Sequence, residues 1–363
     1  MAVQDGCGLG SCKPQGKIGE FFNNQWTLVI ILGLCNAFLQ ALSNGFPVVA
    51  FRSLELKFHL SSLQVGVLSS MYEIADCVFA IVLSYAIRNI SRPLTMALGF
   101  LVAGAGGVVF TAPHFFSDPL EVGDFSSCRP PPEDPECDSY DGKAYAVLMI
   151  GYMMIGIGSI PTKVIPPVYF DSNTTRKNSE FLQSLWMSCG HVGLVISIIV
   201  GAELMKTHTD HDRDILTPDW FRYIYPSWVG AWWTGCIYAG SILMFLAILV
   251  LFLPNSLATL KERLSFTEKR KQMSREKGTI TSIAEFEALE NKDDFNPIGL
   301  QGLIQSIVIL ARNKVFILTC ICLACDAWFI QSLAGFALRY IEMMYNVNKF
   351  QANRYAAGVF DWV

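Results

Sequence analysis

Charged residues are scarce in this sequence. Only 16% of its 363 residues are Asp, Glu, Lys or Arg, whereas 52% are hydrophobic, and the mean hydropathy is +0.38. This balance excludes an ordinary soluble protein, because so many apolar side chains need a lipid environment. The sequence therefore predicts an all-α membrane protein in which each spanning helix takes about 20 apolar residues.

Several chemical motifs are also missing. The sequence has no Walker phosphate-binding loop, so any transport would be driven by gradients rather than ATP. It has no HExxH motif, no loop pair of catalytic carboxylates and no nucleophile motif, which argues against an enzyme. The cysteines of the CICLAC run, Cys320, Cys322 and Cys325, lie in an apolar segment and are interpreted as buried small residues. We expect no metal, no cofactor and no nucleic-acid partner.

Apolar runs of spanning length occur seven times. They lie at residues 27–51, 64–87, 93–116, 144–170, 179–205, 227–253 and 315–338. An eighth run begins at Tyr355 and covers about 13 Å of helix by Val363, where about 30 Å is needed to cross a bilayer. The pattern predicts a cytoplasmic tail (1–25), a six-span bundle (26–253), a cytoplasmic linker (254–314) and the truncated start of a second bundle (315–363). This is the plan of a two-halved secondary transporter.

Lys and Arg favour a cytoplasmic N-terminus, chiefly through the basic residues of the 254–314 segment. This orientation places Cys128 and Cys137 outside, where a disulfide is permitted; two reduced thiols are the alternative. It places the sequons at Asn89 and Asn173 inside, so neither is expected to carry glycan. A seven-helix receptor would need the opposite orientation.

Charged positions inside the predicted spans are the strongest functional signal, because each one is costly in lipid and normally faces a cavity or a partner. Glu73 and Asp76 are three residues apart in the second span and share a helix face. Lys163 lies in the fourth span, His191 near the middle of the fifth and Arg339 near the end of the seventh.

Five stretches resemble segments of one known family. They are LELKFHLSSLQVGVLSSMYEIADCVFAIVLSYAI (54–87), SRPLTMALGFLVAGAGGVVFTAPHFF (91–116), GIGSIP (156–161), WVGAWWTG (228–235) and RYIEMMY (339–345). In order and spacing they are similar to the organic anion transporting polypeptides of the major facilitator superfamily. The fourth stretch matches the core of the family signature and contains Trp228, Gly230, Ala231, Trp232, Trp233 and Gly235. The sequence departs from the signature at Tyr225 and Ser227, and the family's second half is absent.

The resemblance implies a major facilitator-type fold: an N-terminal six-helix bundle, a seventh span and a truncated eighth. It implies sodium-independent transport of amphipathic organic anions by alternating access, with steroid conjugates, bile acids, eicosanoids or thyroid hormones as substrates. The expected location is the plasma membrane, with multiple spans and a cytoplasmic N-terminus. The alternative is a truncated half-transporter that acts as a partner or regulator without transport of its own.

Transport of amphipathic anions requires an apolar cavity with a few fixed cations. Lys163 and His191 are the candidate substrate-binding cations; the alternatives are snorkelling of Lys163 to the interface and a neutral packing role for His191. Trp232 is a candidate for stacking on the substrate. The alternative is that Trp228, Trp232 and Trp233 anchor the sixth span at the membrane interface.

The remaining charges are predicted to be structural or gating residues. Glu73 lies at the place of a family glutamate and is suited to pairing with a cation rather than contacting substrate. Asp76, on the same helix face, is assigned to the same class of structural or gating charges. Arg339 is expected to hold an outer gate by pairing with Glu342 one turn later. Gly156, Gly158, Pro161, Pro166 and Pro167 make the fourth span either flexible or closely packed.

Overall fold

The computed structural model describes residues 22, 24–86, 90–117, 142–174, 176–209, 229–254, 304 and 308–345. Apart from one isolated β-bridge, between His208 and Gly230, the regular structure of these residues is helical. The long helices are α1 (Gln25–Lys57), α2 (Ser62–Ala86), α3 (Arg92–Thr111), α4 (Gly142–Asn173), α5 (Arg176–Leu204), α6 (Trp232–Leu251) and α7 (Lys314–Tyr345). A four-residue helix, Pro113–Phe116, follows α3.

Local sequence signals explain where the helices begin. The Asn24 side chain accepts a hydrogen bond from the Trp26 backbone nitrogen at 3.1 Å and so caps α1. Before α2, the Ser61 hydroxyl accepts from the Gln64 nitrogen at 3.3 Å, and the Gln64 side chain accepts from the Ser61 nitrogen at 2.8 Å. This reciprocal pair is a capping box. Helix α3 has Pro93 in its first turn, where a missing N–H costs nothing.

Six helices, α1 to α6, each contain a segment that is long and apolar enough to cross a membrane. They coincide with the first six predicted spans, and their ends differ from the predicted ones by a few residues. The seventh predicted span, 315–338, lies inside α7, but its crossing of the bilayer stays a prediction. The eighth run lies outside the described residues, as do most of the proposed tail and most of the linker.

Helices α3 and α4 form the most extensive contact among the described helices, and small residues allow it. A Cβ atom on Gly151 would lie 2.5 Å from the Phe110 backbone nitrogen. One on Gly158 would lie 2.5 Å from the Ala103 nitrogen, and one on Gly106 would lie 2.8 Å from the Gly151 oxygen. The two backbones therefore touch. This supports the close-packing interpretation of the fourth-span glycines.

The six helices differ widely in how much of their surface the bundle covers. The apolar window of α1 is 67% buried, whereas that of α2 is only 17% buried. Helix α5 is also largely uncovered, with Val192 and Ile196 exposed. We call α3 and the residues packed around it the packed side of the bundle, and the sparsely covered α2 together with the α4 residues that meet it the open side. Of the charged residues that the sequence singled out, the open side carries Glu73, Asp76 and Lys163.

Helix α1 is interrupted by a π-helical turn, Ala41–Gly45, in the middle of its length. A π turn leaves backbone groups displaced from the regular hydrogen-bond pattern, and such turns often occur at functional sites. Pro47 follows the turn directly in the first turn of the next α-helical segment. Helix α7 belongs largely to a second compact unit of the chain, Ser256–Ala334, whereas α1 to α6 form part of the first.

Candidate functional site

An ion pair between α2 and α4 is the centre of the candidate site. The Lys163 ammonium lies 2.6 Å from an oxygen of Asp76. The same nitrogen lies 4.9 Å from the centroid of the Tyr72 ring, within the range of a cation–π contact. The side chains of Lys163 and Asp76 are 39% and 23% exposed, so the pair is neither sealed in the core nor fully solvated.

Helix geometry explains how these residues meet. Tyr72 and Asp76 are four residues apart on α2 and therefore project from one face. Gly156 precedes Lys163 by two turns of α4, and a Cβ atom at Gly156 would lie 2.6 Å from the Tyr72 backbone oxygen. Because the backbones approach so closely at Gly156, the longer Lys163 side chain reaches the carboxylate. The sequence singled out Lys163 and Asp76 separately but did not predict that they pair.

The π turn of α1 is connected to this ion pair through two tyrosines. The Tyr152 hydroxyl donates a hydrogen bond to the Ser43 carbonyl oxygen at 2.5 Å. The rings of Tyr72 and Tyr152 have centroids 5.8 Å apart. Tyr152 is 2% exposed. The signal for this feature was present in the run Ser43–Asn44–Gly45, which places polar and small residues in the middle of an apolar span.

Polar side chains gather beside the same π turn. The Asn44 amide nitrogen lies 3.3 Å from the Gln40 side-chain oxygen and 3.3 Å from the Ser43 hydroxyl. Gln40 and Asn44 are half-buried, whereas Ser43 is buried. The middle of α1 therefore offers amide groups that can bind the polar part of a ligand. Sequence reasoning missed this group.

The other predicted charges lie on α2, α5 and α7. Glu73 is exposed on α2. His191 is exposed on α5, and its Nδ1 atom lies 3.0 Å from the Met187 carbonyl oxygen of the same helix. Arg339 and Glu342 belong to α7, but their side chains lie outside the described residues. The roles predicted for these four residues stay predictions.

Two of the signature tryptophans, Trp232 and Trp233, belong to an aromatic cluster at the start of α6. Trp232 is 1% exposed, and its ring packs edge-on against Phe58 and Phe110 at centroid distances of 5.9 and 6.2 Å. Trp233 stacks on the His114 ring at 4.5 Å with an interplanar angle of 15°. Protein encloses the Trp232 ring, which supports a packing role for this residue. Anchoring of the sixth span at the membrane interface stays a prediction.

Backbone pairing holds this cluster in place. The end of α5 meets the chain before α6 through the bridge between His208 and Gly230. The Trp233 indole nitrogen donates to the Thr209 carbonyl oxygen at 3.3 Å. A Cβ atom on Gly230 would lie 2.5 Å from the Met205 carbonyl oxygen, which explains the small residue there. Trp228 lies outside the described residues. Stacking of a substrate on Trp232 stays a prediction and would require this cluster to open.

Metal-ligating residues are not clustered in the part of the chain that the structure describes: no three His, Cys, Asp or Glu side chains there are placed to hold an ion. Within those residues, seven cysteines are free: Cys35, Cys77, Cys189, Cys236, Cys320, Cys322 and Cys325. The last three are exposed, which corrects the expectation that the CICLAC cysteines are buried. Cys128 and Cys137 lie outside the described residues, so their disulfide stays a prediction.

The bundle is similar to that of a known transporter. The xylose transporter XylE from E. coli, in a partially occluded inward-open conformation, aligns with 93% of this chain and 70% of its own, with a TM-score of 0.58 and 12% sequence identity. At this identity the likeness shows the fold alone, which is the major facilitator-type fold. The predicted all-α, major facilitator-type fold is confirmed, whereas its seventh and truncated eighth spans stay predictions.

Sequence relatives point to one family. Solute carrier organic anion transporter family member 4A1 of Mus musculus is 29% identical over 361 residues, which is 95% of this chain and 47% of the mouse protein. Member 2B1 of Homo sapiens is 22% identical over 95% of this chain and 54% of the human protein. This chain therefore spans about half the length of these curated relatives.

A family model gives the same assignment as the relatives. The Organic Anion Transporter Polypeptide (OATP) family matches residues 27–360, which include all the long helices and the signature tryptophans. The family predicted from the sequence motifs is confirmed. With six helices suited to crossing a bilayer, this multi-pass membrane protein belongs to the organic anion transporter polypeptide family.

Proposed function

We propose that this chain takes part in the transport of amphipathic organic anions across a membrane. The observation that carries the proposal is Lys163, a fixed cation on the open side of a major facilitator-type bundle. A cation there offers a charge-assisted bond to a sulfate or carboxylate group. Membership in the transporter family supports this function over an enzymatic one.

The surroundings of Lys163 suit an amphipathic rather than a small hydrophilic anion. The Tyr72 ring lies 4.9 Å from the Lys163 nitrogen. On α2, Phe79 is exposed one turn after Asp76, on the same helix face. The open side of the bundle therefore combines apolar side chains with one ion pair, which suits an apolar body with a charged head. Steroid conjugates, bile acids, eicosanoids and thyroid hormones have this shape and charge.

Two helices have the interruptions that alternating access needs. The π turn Ala41–Gly45 breaks the regular pattern of α1. Helix α4 contains Pro161, Pro166 and Pro167 in its interior, where each proline removes one backbone hydrogen bond. Both helices contribute to the candidate site, so bending at these points would change access to Lys163. We propose sodium-independent transport by this route.

Uptake of a labelled sulfated steroid tests the proposal. Cells that express the protein should accumulate the steroid in sodium-free medium more than control cells do. Lys163→Gln and His191→Gln should reduce uptake at equal surface expression. Lys206→Gln is the matched control, because Lys206 pairs with Glu203 at the end of α5, away from the α2–α4 pair in sequence. Unchanged uptake in both His191→Gln and Lys163→Gln would remove the proposed binding role.

We propose the plasma membrane as the location, with a cytoplasmic N-terminus. The Lys and Arg bias of the sequence supports the orientation, and membership in the transporter family supports a location in a membrane. Antibody access to an N-terminal tag, with and without permeabilisation of the cells, tests this orientation. Labelling of the tag in intact cells would contradict it, as would glycan on the sequon at Asn89 or Asn173.

A further inference from the structure

The lysine of the candidate site is already occupied by a carboxylate of the same chain. We propose that Asp76 acts as an internal competitor for the substrate's anionic group at Lys163 and thereby sets which anions the site accepts. The inference rests on the proposed transport of organic anions. It assigns a specificity role to Asp76, beyond the structural or gating role expected from the sequence.

The Asp76 carboxylate occupies the position beside Lys163 that a substrate's anionic group would need. The carboxylate oxygen lies 2.6 Å from the Lys163 nitrogen, at the distance where a substrate's anionic oxygen would bind. The Tyr72 ring covers another side of the ammonium at 4.9 Å. A second anion that approaches therefore meets a neutral pair instead of a free cation. It gains the full charge-assisted bond only when the carboxylate moves aside.

Partial exposure makes that movement feasible. The Asp76 side chain is 23% exposed and that of Lys163 is 39% exposed, so protein does not enclose either group and a second anion has room to approach as the pair separates. A pair fully buried in protein would be far harder to break, because each separated charge would lack solvent. The exposed fractions thus fit a pair that exchanges partners better than a permanent tie between α2 and α4.

Competition between two anions predicts a minimum strength of interaction with Lys163 that a substrate anion must exceed to bind. A weak or diffuse anion gains less from Lys163 than Asp76 does and is excluded, whereas a localised or doubly charged anion displaces the carboxylate. Neutral amphiphiles gain nothing from the exchange. Asp76 would therefore raise the site's preference for strong anionic heads at the expense of overall affinity, which is a form of discrimination against the wrong ligand.

The first experiment separates competition from a structural tie. Asp76→Asn should lower the KM for a sulfated steroid about fivefold, the factor that corresponds to one partly exposed ion pair. The exchanged pair, Asp76→Lys with Lys163→Asp, keeps an ion pair between the helices but moves the cation to α2. Competition predicts that the exchanged variant reaches the surface yet transports poorly. A raised KM in Asp76→Asn together with restored uptake in the exchanged variant would overturn the proposal.

A second readout does not depend on transport. Cys77 is an exposed free thiol on α2, next to Asp76 in sequence. Thiosulfonate reagents modify free thiols. The labelling of Cys77 is measured as the difference in total labelling between the protein with Cys77 and the Cys77→Ser variant. A negatively charged reagent should label Cys77 faster, relative to a positively charged one, once Asp76→Asn leaves Lys163 without its carboxylate. The sulfated steroid should protect Cys77 at about fivefold lower concentration in Asp76→Asn than in the wild type.

These readouts distinguish failure of the inference from failure of the proposed function. If the wild type shows no uptake but protection shifts as expected, transport fails while Asp76 remains a competitor at an anion-binding site. If uptake is observed and neither KM nor protection changes in Asp76→Asn, transport stands and the role of Asp76 is refuted. Loss of surface expression in Asp76→Asn but not in Asp76→Glu would also refute it, because it would identify a structural tie.

Discussion

The packed side of the bundle and its charged open side are held together by different interactions. On the packed side, α3 and α4 touch through glycines, and Trp232 is 1% exposed among other aromatic rings. On the open side, Lys163 and Asp76 retain 39% and 23% of their exposure and are held by one ion pair. The first arrangement depends on shape, which tolerates little change. The second depends on charge, which can exchange partners.

One bundle can therefore contain both a rigid region and a region whose charged groups can change partners. Stability is concentrated where backbones meet and no charge is needed. The groups that we propose to bind substrate lie on α2 and α4, where the bundle leaves the Lys163 and Asp76 side chains partly uncovered. Tyr152 belongs to both regions, because its ring contacts Phe110 on the packed side and Tyr72 near the ion pair. Substitutions on the two sides should therefore have different consequences, and their sizes can be ranked.

The largest effect is expected from overfilling the α3–α4 contact. A leucine at Gly151 would place side-chain atoms where the Phe110 backbone nitrogen lies 2.5 Å from the first added carbon. Backbone cannot move aside as a flexible side chain can, so Gly151→Leu should lose at least about 3 kcal/mol of stability and most surface expression. Gly66→Leu is the matched control, because among the described residues no atom lies within 4 Å of its added carbon.

Fluorescence-detected gel filtration after heating measures this difference in stability. Equal behaviour of Gly151→Leu and Gly66→Leu would show that the α3–α4 contact is not the rigid part of the bundle. The two sides of the bundle would then not differ in how much change they tolerate.

Removal of the buried indole should have the next largest effect. Trp232→Ala leaves a cavity between Phe58 and Phe110, and truncations of this kind cost about 3–5 kcal/mol. Trp328→Ala is the control, because Trp328 is 77% exposed on α7. The melting temperature of the solubilised protein should fall in the first variant and stay nearly constant in the second. A stable Trp232→Ala variant with impaired uptake would instead favour a substrate role for this indole.

Much of this architecture could be predicted from sequence. Long apolar runs allow only a few structures in lipid, so the run lengths fixed the six helices to within a few residues. The stretch WVGAWWTG identified the family because its combination of indole and glycine is rare. Lys163, Asp76 and Trp232 were recognised for a simple reason: charge and indole stand out against an apolar background.

The remaining features depend on contacts between distant segments, which no local pattern contains. Hydropathy treats Trp232 at an outer helix end as an interface residue, yet Phe58 and Phe110 come from other helices to enclose it. The pairing of Lys163 with Asp76 rather than with another acid depends on where α2 crosses α4. The π turn produces no recognisable pattern of apolar residues in the sequence. Tyr152, which donates a hydrogen bond to the Ser43 carbonyl oxygen of this turn, is 109 residues away.

The connection between the two sides can be tested at Tyr152. Tyr152→Phe keeps the ring but removes the hydrogen bond to the Ser43 carbonyl oxygen in the π turn. The loss of a buried hydrogen bond costs about 1 kcal/mol, so the melting temperature should fall modestly. Tyr238→Phe is the control, because Tyr238 is 64% exposed. Uptake should fall further than this stability loss explains if the π turn positions the site, and both should fall in proportion if it does not.

The smallest effect on stability is expected at the ion pair. In a double-mutant cycle of Lys163→Met and Asp76→Asn, the coupling in unfolding free energy should be below about 1 kcal/mol, as for other partly exposed pairs, and should shrink further in high salt. The same cycle measured by substrate affinity should give changes of opposite sign, because Lys163→Met removes the binding cation while Asp76→Asn removes its competitor. A stability coupling several times larger, insensitive to salt, would place the pair with the packed side of the bundle. Opposite signs in affinity with little coupling in stability would establish that charge on the open side serves recognition while shape on the packed side maintains the fold.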